Sequence, residues 1–387
     1  ASLEALQQAV CRVLTDVRAA VSDWLAMRSR LQEEINNLDA TRLPIAEEEV
    51  REIEAFLTWV CDEHFTFLGC RDYALQGSGD ECQLLSVPDS GLGILRNEQN
   101  NAHASTSFAQ MPAALRSLAS SNQQLLIITK ANARSTVHRP VALDYIGLKR
   151  FDDNGHVIGE RRFLGLYTSA AYYSSPREIP LLRRKINRVL TRSGLPRHGH
   201  AGKALLSILE TFPRDDLFQA SEDELYQTST GILQLQERQR LRLFIRHDPY
   251  GRFASCLVYV PRERYNTELR TRIQSHLARV LGGEALEFTP QFMESMLMRI
   301  HYLIRTKPGQ VPEYSVAELE AQLYEVLQSW SDELQKALLE SVGEEQGNQL
   351  WRRYGSAFPA AYREEFTARI AVRDCLRLEQ ILSGSRL

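Results

Sequence analysis

The sequence predicts an α+β protein built from several modules, and three observations predict it. Apolar residues recur every three or four positions near the start and again in the later part of the chain, which is the period of an amphipathic helix. Between about residues 65 and 168 the pattern changes to β-branched and aromatic runs separated by turn residues, which is the signature of strands. From about residue 241 onward, strand-like and helix-like segments follow one another in the order β-β-α-β-β-α.

The composition sets outer limits. A chain of 387 residues is long enough for two or three domains with real cores. With 43% hydrophobic and 25% charged residues it reads as an ordinary globular protein. The net charge of -3 supplies no concentrated basic face, so no nucleic-acid partner is expected. The basic run at 182–188 has apolar positions at helical spacing and reads as a solvated helix face. No stretch approaches the roughly eighteen apolar residues of a membrane span, and the N-terminus lacks a basic-then-apolar signal pattern. The cysteines (Cys11, Cys61, Cys70, Cys82, Cys256 and Cys375) form no C-x-x-C pair, and several sit in apolar runs. They suit a reducing cytosol, so the expected localisation is cytoplasmic. The closing Ser385-Arg386-Leu387 matches a peroxisomal address, but reads as accidental at the end of an apparent fragment.

Taken in order, residues 1–45 form an N-terminal helical segment. Its apolar stripe is Leu3, Leu6, Val10, Val13, Val17, Val21, Trp24 and Leu31, interrupted by Pro44. Residues 46–200 are expected to fold as an α+β domain with an antiparallel sheet. It opens with a helix over 47–63 that presents Ile53, Phe56, Leu57 and Val60 on one face. This helix pair cannot bury both apolar faces alone, and should dock on something else. Strands are expected at 65–73, 83–87, 125–129, 137–151 and 156–168, with a short helix at 112–118. Asp152-Asp153-Asn154-Gly155 is the tight turn of a hairpin. Ser175 then reads as an N-cap with Pro176 at the first helical position, opening a helix that ends near Gly194. Residues 201–236 are a helical connector, broken at Thr211-Phe212-Pro213-Arg214.

Residues 237–335 are the most legible unit. Strands at 241–247 and 252–260 flank the turn Asp248-Pro249-Tyr250-Gly251, and a helix over 266–281 is closed by Gly282-Gly283. Strands follow at 284–292 and 296–306, and Ser315-Val316-Ala317-Glu318 is the capping box of a second helix. Moving the first strand and helix of a ferredoxin-like β-α-β-β-α-β unit to its end gives this same order. The product is a four-stranded antiparallel sheet with two helices on one face. In this it resembles the small amino-acid-sensing ACT modules, although fold alone never proves ligand binding. Residues 336–387 show helical patches around Trp351 and over 364–381, and read as the start of a region whose packing partner is missing.

Signatures of catalysis fail one by one. Gly194 and Gly199 have phosphate-loop spacing, but His200 follows, and at Gly202-Lys203 an Ala204 replaces the required hydroxyl. Gly91-Leu92-Gly93 begins a dinucleotide fingerprint, but Arg96 stands at the third glycine position. Cys61, His64 and Cys70 lack the paired spacing of a zinc site, and His198 and His200 are explained by an exposed loop at least as well as by an ion. The polar stretch 130–140 reads either as an anion site or as a turn with internal hydrogen bonds. The best effector candidates are Asp248 and Arg252 at the hairpin turn, with His247 beside them, and Arg262, Arg264, Tyr265 and Asn266 at the next loop and helix start. Free N–H groups and guanidinium groups there favour a carboxylate. The alternative is that they cap strands and helix, or meet another subunit.

Several phrases occur in the order of a known family. They include Phe67-Leu68-Gly69-Cys70-Arg71-Asp72-Tyr73, Arg162-Phe163-Leu164-Gly165-Leu166-Tyr167-Thr168-Ser169 and Ile208-Leu209-Glu210-Thr211-Phe212-Pro213-Arg214-Asp215. The strongest is Arg246-His247-Asp248-Pro249-Tyr250-Gly251-Arg252-Phe253-Ala254-Ser255-Cys256, continuing through Asn266-Thr267. In these the chain resembles the N-terminal region of the large bacterial NAD-specific glutamate dehydrogenases, most clearly over 59–304. The resemblance implies a PAS-like domain over about 50–200 and an ACT-like domain over 237–335. It also implies a distant dehydrogenase core that oxidises L-glutamate to 2-oxoglutarate and ammonia with NAD. No catalytic residue carries over, so this segment is expected to be no enzyme by itself and to hold no cofactor. Its expected partners are other subunits and its own missing catalytic region, with an amino-acid effector as a further candidate. A purely structural scaffold is the alternative.

Overall fold

The computed structural model describes residues 3–39, 43–77, 83–96, 121–122, 124–235, 240–292, 296–307, 312–328, 330–382 and 384. Two antiparallel sheets organise it, and the α+β expectation holds.

The first helix, α1 (Leu3–Asn36), docks by a face beside most of its apolar stripe, of which Leu31 is buried and Val17 half-buried. Asp16, Ala20, Asp23, Met27, Leu31 and Ile35 are buried, whereas Leu3, Leu6, Val10, Val13, Val21 and Trp24 stay exposed. Polar anchors select the docked face. Asp23 accepts a hydrogen bond from Gly93 N at 2.8 Å and pairs with Arg96, and Asp16 accepts one from Thr136 Oγ1 at 2.7 Å. At about 100° per residue these anchors lie roughly a quarter-turn from the centre of the stripe. The second helix, α2 (Glu47–Trp59), buries Ile53, Phe56 and Leu57 as expected, but stops short of residue 63. A π-turn, Val60–His64, with Glu63 at φ 64°, swings the chain into the sheet.

The first sheet contains β1 (Phe65–Gln76), β2 (Gln83–Ser86), β3 (Leu92–Gly93), β4 (Leu126–Arg134), β5 (Ala142–Phe151) and β6 (Val157–Tyr167). The order is β2-β1-β6-β5-β4, with β3 paired to β1, and every pairing is antiparallel. The helix expected at 112–118 and Cys82 lie outside the described residues. Strand β5 begins later than its hydrophobic pattern suggests because residues 135–141 are a turn. There Arg134 donates to Pro140 O, Ser135 Oγ donates to Val137 O, and His138 adopts φ 70°. Gly155, at φ 77°, closes the β5–β6 hairpin.

A short α3 (Ser169–Tyr173) precedes α4 (Leu182–Arg192). The helix expected from Pro176 opens at Leu182 instead, because Pro180 disfavours helical geometry at the residue before it. Ser175 Oγ accepts only a local bond from Arg177 N, and Leu181, at φ 67°, gives its N–H to Glu52 at 2.9 Å. Gly194, at φ 65°, ends the segment as expected. The expected connector is α5 (His200–Glu210), α6 (Arg214–Gln219) and α7 (Glu222–Leu235). It is no loose spacer. Leu205, Leu209, Leu217, Phe218 and Ile232 are buried in the same core as Phe56, Phe163 and Tyr167, and Phe218 stacks on Tyr167 with centroids 4.7 Å apart.

The second sheet holds β7 (Arg242–His247), β8 (Phe253–Pro261), β9 (Glu284–Phe292) and β10 (Leu297–Arg305), with α8 (Thr267–Val280) and α9 (Val316–Leu327). Its order is β7-β8-β10-β9. Asn266 caps α8 by accepting from Leu269 N, and Ser315 caps α9 by accepting from Glu318 N. Alternation assigns the two faces. Cys256, Val258, Val260, Met298, Ile300 and Tyr302 pack with Ile273, Leu277, Leu319 and Leu323 of the two helices. The opposite face carries Ser255, Leu257, Tyr259, Leu297, Arg299 and His301. Leu257, Tyr259 and Leu297 join the core containing α5, α6 and α7. This sheet is therefore covered on both sides.

The C-terminal helices are α10 (Trp330–Val342), α11 (Glu344–Tyr354), α12 (Ala360–Glu365) and α13 (Ala368–Leu382). Contrary to expectation they pack on themselves. Leu334, Leu338, Leu350, Tyr354, Ala371, Val372 and Cys375 form their own core, and Trp330 Nε1 donates to Phe366 O at 2.8 Å. Residues 385–387 lie outside the described residues.

Candidate functional site

The effector candidates fall into two groups that do not converge. Asp248 and Arg252 lie before the first residue of β8, whereas Arg262, Tyr265 and Asn266 follow its last. That nine-residue strand separates them by roughly 30 Å.

Asp248 is 4% exposed and faces the first sheet. It accepts from Thr129 Oγ1 at 2.5 Å, from the N–H groups of Tyr250 and Arg252, and from Arg252 Nε at 3.1 Å. Arg252 also donates to Thr129 Oγ1 and lies over the Tyr250 ring at 4.7 Å. Beyond it, Arg162 is held between the rings of Tyr73 and Tyr145, at 3.9 and 4.8 Å. Bonded to each other and to Thr129 of β4, Asp248 and Arg252 join two modules. Neighbouring His247 bonds Tyr314 Oη at 2.5 Å, and burial pushes its pKa down.

At the other end, Arg262 lies over the Phe292 ring at 5.1 Å and Tyr265 meets the same ring edge-on. Beside them a groove of about 1000 Å³ runs between the start of α8 and the C-terminal helices. Its lining includes Arg264, Asn266, Arg272, Trp330, Asp332 and Arg363. Arg264 pairs with Asp332 across it. Three arginines, four carboxylates (Glu263, Glu268, Asp332 and Glu333) and an indole thus border one concave space.

Sequence reasoning missed two buried charge clusters. Lys130 sits between Asp144 at 2.6 Å and Asp215 at 3.0 Å, and Asp144 also accepts from Tyr167 N. Burial opposes charge on this lysine, but the two carboxylates outweigh it and hold the ammonium well above its ordinary range. On the far face of the second sheet, Asp216 of α6 receives Arg246 at 2.6 Å and Ser255 Oγ at 2.6 Å, and His301 Nε2 lies 3.4 Å away. Burial opposes this carboxylate too, yet Arg246, His301 and Ser255 hold it below the usual range. Burial pushes His301 itself below the usual histidine value, against the pull of Asp216. These partners are far apart in sequence, and no local pattern announces them.

The remaining candidates resolve locally. Gly93 N binds Asp23, and Gly202 packs so closely on Pro196 O that a Cβ would lie 2.2 Å from it. These glycines therefore serve close packing where the phosphate-loop and dinucleotide spacings fall. Cys61 and Cys70 lie in the apolar core, and His64 stacks on Trp59. His198 and His200 are exposed. Among the described residues no group of three His, Cys, Asp or Glu could hold a metal ion, and no helix is long and apolar enough to cross a membrane. In the 130–140 stretch, internal hydrogen bonds favour the structured turn.

Comparison with known proteins decides the family. The glutamate dehydrogenase ACT2 domain model matches residues 242–331, helical motif 1 of glutamate dehydrogenase matches 179–238, and helical motif 2 matches 337–381. The NAD-specific glutamate dehydrogenase of Halomonas elongata is 40% identical over 100% of this chain and 24% of its own length. The chain belongs to the family of the large NAD-specific glutamate dehydrogenases. Enzymes of the same name from Pseudomonas aeruginosa and Mycobacterium tuberculosis are 37% and 27% identical, each over 99% of this chain and 23% of their own length. The chain thus spans about a quarter of the glutamate dehydrogenases it matches, in keeping with the N-terminal region anticipated from sequence. Helical motif 1 supplies α4, α5, α6 and α7, so the open face of the ACT2 sheet is covered by the motif that precedes it.

Proposed function

We propose that this chain is a regulatory and assembly segment of a cytoplasmic, NAD-dependent glutamate dehydrogenase. The complete enzyme oxidises L-glutamate to 2-oxoglutarate and ammonia, with NAD bound and chemistry performed by regions beyond this segment. The ACT2 unit senses an amino acid, and the first sheet is a PAS-like domain. The strand order β7-β8-β10-β9 is the one expected of a circularly permuted ferredoxin-like unit, which supports the ACT reading.

One observation carries the sensing proposal: the groove at the start of α8, where Arg264 and Arg272 lie near Asp332 and Trp330. A zwitterion needs a cationic partner for its carboxylate and an anionic one for its ammonium, and this concavity offers both. Effector control also requires two states that the ligand distinguishes. Thermal-shift measurements on the chain with a panel of amino acids test the reading. A stabilising ligand among them supports it, and a flat panel removes the sensing role.

A purely structural scaffold is the second reading. It is favoured by the bonds of Asp248 and Arg252 to each other and to Thr129, which fasten two modules together.

A further inference from the structure

The basic run of α4, which the sequence presents as a solvated helix face, borders a groove in the fold. This groove, of about 810 Å³, lies between α2, α4 and the first residue of α7, and shares no lining residue with the groove beside α8. Five guanidinium groups line it against three carboxylates, Glu48, Glu52 and Glu222. Arg184, Arg188 and Arg192 stand at four-residue steps along α4, so they form a row about 12 Å long. Asn187 and Thr191 lie between them on the same face. Arg184 is the deepest of the five arginines, with its side chain 16% exposed against 42% or more for the others. Its pair with Glu49 is long, at 3.7 Å, and its Nη1 is buried without a hydrogen-bond partner among the described residues. A buried donor without an acceptor is rare in folded proteins and calls for one.

We propose that this groove binds a small molecule carrying a chain of phosphoryl groups, and that one phosphoryl oxygen is the acceptor Arg184 Nη1 lacks. Guanidinium forks match phosphate oxygens two at a time, and a row of three such forks is longer than a single anion needs. The Asn187 amide and the Thr191 hydroxyl add neutral donors along the same row. Pairing within the chain leaves the row available. Arg188 pairs with Glu222, Arg192 with Asp223 and Arg51 with Glu47, but all three pairs are exposed. Such pairs contribute little and open readily to a stronger acceptor. Arg183 instead grips Glu52 with Nε at 3.0 Å and Nη2 at 2.6 Å, which neutralises that carboxylate. Among the described residues Glu48 is the lining carboxylate without an ion pair, so it opposes an anion and sets a sign for the test. The proposal goes beyond amino-acid sensing and does not depend on it.

Calorimetric titration of the whole chain with sodium tripolyphosphate, at constant ionic strength, tests this. The expected result is saturable binding at one site per chain, at least tenfold weaker in Arg184→Met and in Arg188→Gln, and tighter in Glu48→Gln. Methionine retains much of the buried apolar stem at 184, and Arg188 is half-exposed, so both variants should fold, which their melting temperatures check. Orthophosphate, which cannot span the row, should bind at least tenfold more weakly than tripolyphosphate. No heat beyond dilution would overturn the site. So would tripolyphosphate binding that neither arginine substitution weakens, or that is no tighter than that of orthophosphate. Arg264→Ala, in the other groove, should leave tripolyphosphate binding unchanged, so failure of this site and failure of the sensing role are told apart.

Discussion

Thr129 of β4 donates its hydroxyl hydrogen to Asp248 Oδ1 at 2.5 Å, joining two modules across 119 positions of sequence. Asp248 is the central acceptor of this junction, because the Tyr250 and Arg252 N–H groups and the Arg252 guanidinium converge on it as well. Removing it leaves a guanidinium and two N–H groups short of partners in a dry place. Asp248→Ala is therefore expected to destabilise the chain by about 3 kcal/mol, and Thr129→Val by about 1 kcal/mol. Urea denaturation reads both. Equal, negligible losses would show that the junction contributes nothing to stability.

Lys130 gives a harsher case. Replacing it by Met strands Asp144 and Asp215 together without a cation, which should cost about 3–5 kcal/mol. Adding Asp144→Asn to Lys130→Met removes one of the stranded charges and should recover part of the loss. A double-mutant cycle measures this directly. Strict additivity would mean that the two residues do not interact.

The contact between helical motif 1 and the ACT2 sheet should depend on pH. His301 has its folded pKa lowered by burial, so the unfolded chain takes up its proton more readily than the folded one. The stability it contributes is complete above about pH 6.5 and falls as the pH drops below that value. Asp216, also lowered, extends the loss below about pH 4, where its unfolded form gains a proton first. Asp144, whose carboxyl burial raises to about 6, contributes in the opposite sense, so the test is the difference between chains: from about pH 5 to pH 7.5 the natural chain should gain more melting temperature than His301→Gln. The same change in both would contradict the arrangement.

Much of the second sheet was legible in advance, because each of its elements is announced locally. Asn266 and Ser315 cap as their residue types suggest, Gly282 closes α8 with φ 62°, and the turn after His247 separates two alternating runs. The docking of α1 was not legible. Periodicity identifies an apolar stripe but not which face meets the protein, and two aspartates binding distant partners decided that. The start of α4 was misread for a related reason. Ser175-Pro176 has the right local chemistry, yet Pro180 and the bond from Leu181 N to Glu52 delay the helix. The candidate site was half legible: the α8 end borders a groove, but Trp330, Asp332 and Arg363 come from helices whose folding onto it no local pattern reveals.

Arg264 separates stability from recognition. Its pair with Asp332 is partly exposed on both sides, so Arg264→Ala should change stability by no more than about 0.5 kcal/mol. The same change removes a cation from the groove. A variant that melts like the natural chain but is no longer stabilised by amino acids is the expected outcome. A large drop in melting temperature would show that the pair is structural.

Calorimetric titration of the purified chain with individual amino acids, repeated on Arg264→Ala, tests the sensing claim most directly. The account predicts saturable heat at one site per chain for at least one amino acid, with affinity at least tenfold weaker in the variant. No heat from any amino acid, or binding untouched by loss of Arg264, would contradict it.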